Sequence, residues 1–123
     1  MAARNWQHNL RNLLMLKKLN RLPSAQKLNN PTYLKTHAFT LKISRNTLAN
    51  NRFAFTVKKT IDKRATVRNR AKRVLRSCIE ELLNEISVGY DMLFLLEKGI
   101  IDRKRELVFK DIHTLLSEKG FLK

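Results

Sequence analysis

Apolar positions recur along this chain with two different periods. Over residues 38–44, Phe39, Leu41 and Ile43 alternate with Thr40 and Lys42, and over 52–58, Phe53, Phe55 and Val57 alternate with Ala54 and Thr56. Alternation of aromatic and β-branched residues at period two predicts two half-buried strands. The Asn-rich stretch between them, 45–51, reads as a hairpin loop. The period then changes. Val67, Ala71, Val74, Leu75, Cys78, Ile79, Leu82, Leu83 and Ile86 fall at i, i+3 or i+4, one apolar stripe on a helix spanning Thr66–Ser87, with Gly89 ending it. Met92 to Leu96 is a continuous apolar run, which predicts an interior strand covered on both faces. Val108, Ile112, Leu115 and Leu116 mark a last amphipathic helix, capped by Gly120.

The pattern before residue 38 is weaker. A short helical turn can start at Ser24, with Pro31 stopping it early. A small extra strand is expected near Thr60–Ala65. The whole reads as α+β: a small sheet with helices packed against it. Residues 1–14 read as a disordered or weakly helical basic extension, and 15–123 as one domain. Met1 and Met15 are both candidate starts.

Charge sharpens this picture. The chain has 26 Lys+Arg against 10 Asp+Glu, a net charge of +16. Residues 1–57 carry 10 basic and no acidic residues, residues 58–76 carry nine basic residues and one acid, and residues 77–123 carry seven basic and nine acidic. Charge concentrated in one part of a chain builds a face for a polyanion, whose binding falls steeply with salt. No apolar run reaches the roughly 20 residues of a membrane span, and no secretory pattern opens the chain, so a cytoplasmic protein is expected.

The cations crowd the first half of the long helix. Arg68, Arg70, Lys72, Arg73 and Arg76 lie on the face away from the apolar stripe and on one shoulder beside it, while Glu80, Glu81 and Glu85 come later. That order opposes the helix dipole, which disfavours a cation near the first turn by roughly 0.3–1 kcal/mol. Neighbouring like charges add to the penalty. A phosphate backbone would neutralise the arrangement, because a helix N-terminus beside guanidinium groups is an anion site.

Other chemistry is sparse. The single cysteine, Cys78, excludes an internal disulfide and sits on the apolar stripe. His8, His37 and His113 are scattered. Asp91, Glu97, Asp102 and Glu106 read as solvated surface ahead of a weak Mg²⁺ site. No P-loop or nucleophile-elbow motif is present, and the chain holds only three glycines. A DNA-binding role would require a helix-turn-helix partner or a dimer seam; neither is legible.

At this point the residues match a known pattern. Arg68-Asn69-Arg70-Ala71-Lys72-Arg73-Val74-Leu75-Arg76 resembles the signature helix of the bacterial ribonuclease P protein family, R-N-R-x-K-R-x-x-R, at all six defining positions. The surroundings agree: Asn20-Arg21-Leu22 near the start, two alternating strands, Lys58-Lys59 through Lys63-Arg64 before the helix, and a hydrophobic strand ending in Lys98-Gly99. The resemblance covers residues 15–120. It implies an α-β-β-β-α-β-α order with a left-handed βαβ crossover, as in the second domain of a ribosomal protein, an exception to the usual handedness.

It further implies that Lys63, Arg64, Arg68, Asn69, Arg70, Lys72, Arg73 and Arg76 contact the catalytic RNA. A cleft between helix and sheet would hold the single-stranded 5′ leader of precursor tRNA, with Phe39, Lys42, Phe53, Phe55, Lys58, Lys59 and Lys98 as its candidate lining. Lys42 points to the face opposite Phe39 and Leu41; the phenylalanines fit a core as well as a cleft. The RNA and its Mg²⁺ would cleave the phosphodiester, with the protein bound as a monomer. The chain departs from the family where aromatic residues usually line the first helix (here Leu28, Asn29, Asn30 and Pro31) and at Ala54, Thr60 and Glu97. A structural RNA-binding protein of ribosomal type is the competing expectation.

Overall fold

The computed structural model describes residues 20–23 and 28–123. The expected basic extension and the helical turn at Ser24 fall outside these residues. Four strands, β1 (Thr32–Lys35), β2 (Phe39–Arg45), β3 (Arg52–Thr56) and β4 (Tyr90–Leu96), form one sheet, with helices α1 (Ala65–Leu82) and α2 (Arg105–Glu118).

The sheet order is β1-β2-β4-β3. β2 and β3 are therefore not a hairpin. β4 lies between them, antiparallel to β2 and parallel to β3. The Asn-rich 45–51 segment arches over the start of β4 instead. Asn46 accepts from the Leu48 N–H at 2.8 Å and donates to Asp91 at 2.9 Å, and Asn51 accepts from the Tyr90 N–H at 2.8 Å. These side chains supply the hydrogen bonds that a two-strand turn would otherwise supply. β3, α1 and β4 form the parallel crossover unit.

The expected strand at Thr60–Ala65 is absent. There Asp62 accepts from the Arg64 N–H at 2.9 Å, a local turn that outcompetes a ladder. The additional strand is β1, which pairs with β2 in a tight antiparallel register, Tyr33 opposite Lys42. The long helix also ends sooner than its stripe suggests. It gives way to a 3-10 turn at Leu83–Glu85, and Ile86 then leaves to bridge Leu122. At the other terminus of the fold, Gly120 takes φ +78 and the Phe121 N–H reaches back to Leu116 at 2.9 Å, closing α2 in the conformation glycine adopts most readily.

One face of the sheet carries Phe39, Leu41, Ile43, Phe53, Met92, Phe94 and Leu96, all buried, against Leu75, Cys78, Ile79 and Leu82 of α1 and Val108, Ile112 and Leu116 of α2. Phe94 is central: the Phe39 ring meets it edge-on at 5.3 Å and the Phe55 ring stacks on it at 5.5 Å. β4 is an interior strand, but it is not covered equally on both faces. Leu93 and Leu95 remain half-exposed on the side away from the helices.

Candidate nucleic-acid interface

α1 begins without a capping side chain and has no acidic residue in its first turn. Arg64 stands at the N-cap and pairs with Asp62 at 2.9 Å; that hydrogen bond, seconded by the Arg64 backbone, holds the Asp62 carboxyl down at about 2. Arg68 is half-buried. Its guanidinium donates to the carbonyls of Asp62 and Lys63 at 2.8 and 2.9 Å, so it braces the approach to the helix. Arg70, Arg73, Asn69 and Lys63 are exposed and Lys72 is half-exposed. Among the described residues no carboxylate pairs with Arg70, Lys72 or Arg73. Arg64 and Arg68 are thus engaged at the start of the helix, while Arg70, Lys72 and Arg73 face outward.

Arg76 sits on the shoulder toward β3, its guanidinium 5.9 Å from the Phe55 ring centre. One turn further, Glu80 is buried with neither oxygen hydrogen-bonded. Burial pushes its carboxyl up to about 7 although Arg76 pulls it down. Nothing in the sequence singles Glu80 out from Glu81 and Glu85.

The seven candidate lining residues of a cleft do not share one surface. Phe39 and Phe53 are 0% and 2% exposed and belong to the core, where no nucleobase can reach them. Phe55 lies on the same helix-packed face but at its open edge, half-buried beneath Arg76. Lys42 projects from the opposite face. Lys58 and Lys59 follow β3 and Lys98 follows β4; all three are exposed. Alternation alone does not reveal which face of a sheet the helices will cover.

The face away from the helices carries a contact that was not legible. Tyr33 of β1 is 60% exposed, and the Lys42 ammonium lies 5.3 Å from its ring centre. With Leu93 and Ala54 in the same register, they make a row across all four strands: an aromatic platform, a cation and an apolar strip. That is the mixture single-stranded nucleic acid requires. The four-residue β1 has no apolar alternation to announce it. Among the described residues, no group of three or more His, Cys, Asp or Glu side chains is placed to hold a metal ion.

A four-stranded sheet with an uncapped, cation-loaded helix packed on it defines a small α+β protein with an outward cationic face. Residues 15–120 match the family Ribonuclease P, and the chain belongs to that family. It is similar to the ribonuclease P protein component of Microcystis aeruginosa, 36% identical over 72 residues, 58% of this chain and 60% of that protein. The corresponding protein of Synechocystis is 32% identical over 58% of each chain. The matched stretch thus spans about 60% of the length of these relatives. Among solved structures, a Staphylococcus aureus RNase P protein variant superposes with a TM-score of 0.76 at 15% identity, covering 96% of this chain and 98% of that one. The Thermotoga maritima RNase P protein gives 0.66 at 22% identity, covering 72% and 84%. At these identities the structures share the fold.

Proposed function

We propose that the chain is the protein subunit of ribonuclease P, working in the cytoplasm as one copy on its catalytic RNA. In this reading the first half of α1 grips that RNA, and the protein assists endonucleolytic removal of the 5′ leader from precursor tRNA. The RNA carries the Mg²⁺ and the chemistry; the protein's part is binding and positioning. The observation that carries the reading is the outward cluster of Arg70, Lys72 and Arg73 in the first half of α1, without a carboxylate partner among the described residues. The Tyr33–Lys42 row and the Phe55–Arg76 edge are the two surfaces suited to a single strand.

The test is reconstitution. Added to an in vitro transcribed bacterial ribonuclease P RNA at low Mg²⁺, the chain should restore cleavage of precursor tRNA. Replacing Arg70, Lys72 and Arg73 together with Ala should abolish the rescue while the circular dichroism stays native. RNA binding without rescue would instead mark a structural RNA-binding protein. Equal competition by duplex DNA would point to a DNA binder.

A further inference from the structure

The signature helix has a second shoulder, turned away from the β3 edge. Between it and the segment leading into α2 runs a groove of about 280 Å³, floored by Val67, Val74 and Ile101 and rimmed by Arg70 and Lys104. It continues along α1 into a shallower depression formed by Arg70, Arg73, Val74 and Ser77. We propose that this groove is a second RNA contact, which takes an unpaired nucleotide with its base on the apolar floor and its phosphate between Arg70 and Lys104. The inference rests on the RNA-binding reading of α1 and extends it to an element outside the signature motif.

Three observations carry it. The floor is apolar and half-exposed, in the most cationic region of the described chain. Apolar contact with a base face is sequence-tolerant and requires only such a strip flanked by phosphate ligands. Secondly, the rim cations that would meet phosphate are available: Arg70, Arg73 and Lys104 are exposed, and none is ion-paired among the described residues. The one acid in the groove, Asp102, acts electrostatically on Arg64.

Thirdly, the groove is held at a fixed width. Arg105, the first residue of α2, donates to Ser77 Oγ of α1 at 3.0 Å and pairs with Glu81 at 2.9 Å. Arg103 is locked to Asp111 by two hydrogen bonds of 2.9 and 3.1 Å. These two arginines are spent on architecture, and between them Lys104 stands at the N-cap of α2 with no side-chain cap there. α2 therefore begins without a side-chain cap at one wall of the groove, and the first half of α1 forms the other. The sequence shows Arg103-Lys104-Arg105 only as a short basic run; the fold sets it beside the signature helix.

The experiment measures affinity for the same transcribed ribonuclease P RNA as a function of salt, using the full chain. Lys104→Ala should weaken binding roughly tenfold, as expected for a charged contact to phosphate. It should also reduce the slope of log K against log salt by about one. Ile101→Asp should weaken binding further and leave the Tyr33 surface able to bind a single-stranded leader oligonucleotide. Lys104→Ala is an exposed substitution, so folding is checked by its melting curve. If Lys104→Ala leaves affinity and slope unchanged while Arg70→Ala with Arg73→Ala lowers both, the groove is overturned and the signature face stands. If none of them matters, the RNA-binding reading itself falls.

Discussion

Arg52 and Asp91 hold each other across the parallel β3–β4 pair through two hydrogen bonds, Nε to Oδ1 at 2.9 Å and Nη2 to Oδ2 at 2.7 Å. They are direct partners in the register, and Asn46 from the arching loop donates to the same carboxylate at 2.9 Å. One buried acid thus joins the edge strand, the central strand and the loop that passes over them. Burial works to raise the Asp91 pKa, but the hydrogen bonds from Arg52 and Asn46 outweigh it and hold the carboxyl below its ordinary range. A depressed folded pKa contributes stability that is fully present above the unfolded value near 3.9 and is lost as pH falls toward the folded one. Urea unfolding at pH 7 and at pH 3 should show that loss, and Asp91→Asn should abolish much of the difference. The substitution should itself destabilise by about 3 kcal/mol at pH 7, the low end for breaking a buried pair because Arg52 keeps some contact with solvent. An Asp91→Asn protein as stable as the parent at pH 7 would mean the pair is ornamental.

The same junction marks the limit of what the sequence discloses. Local signals were legible. The alternation at Phe39–Ile43 and Phe53–Val57 fits strands, the Val67–Leu82 stripe fits α1, and the unusual clustering of cations fits a face turned away from the core. Strand order was not legible, because β4 enters between β2 and β3 from nearly forty residues downstream and nothing near Asn46–Asn51 encodes that choice. The candidate cleft suffered for the same reason. Phe39 and Phe53 have the composition of a stacking platform, but the helices cover their face, and the exposed ring is Tyr33 on a strand too short to read.

Tyr33 separates stability from binding. Its ring is exposed, so Tyr33→Ala should change unfolding free energy by no more than about 0.5 kcal/mol. Base stacking on an aromatic platform is worth roughly 1–3 kcal/mol per base. Affinity for a short single-stranded RNA should therefore fall at least several-fold, and Tyr33→Phe should retain most of it. Equal binding by Tyr33→Ala and the parent, measured by fluorescence anisotropy, would remove this face from the interface.

Cys78 offers a probe of the core. It is fully buried on α1, and burial pushes its thiol up to about 11, outweighing the opposite pull of the nearby Arg105. The thiolate is the nucleophile, so a thiol held that high stays almost wholly protonated at pH 8. Ellman's reagent should leave the native protein unmodified and react at once in denaturant. A rate in native buffer close to that of the unfolded chain would show that α1 does not stay closed over the sheet.

Gly99 lies between exposed Lys98 and buried Ile100, where β4 leaves the sheet, and the chain passes it very closely. A Cβ built at Gly99 would press onto the carbonyl oxygen of His37 and come within 2.6 Å of Cδ2 of its ring. The obstacle is packing, since Gly99 is not among the positive-φ glycines. The His37 segment is itself fixed: Thr36 Oγ1 accepts from the Ala38 and Phe39 N–H groups at 3.2 and 3.1 Å, and Ala38 O accepts from the Glu97 N–H at 2.9 Å. Backbone pinned on both sides cannot yield cheaply, so Gly99→Ala should cost about 1–3 kcal/mol, the range for overpacking. His37→Ala in the same protein removes the ring but leaves the carbonyl, and so should restore only part of the loss. Full restoration would show that the ring alone was in the way. No loss in Gly99→Ala, judged by thermal unfolding, would show that the strand end and the β1–β2 turn are not held together as tightly as these contacts require.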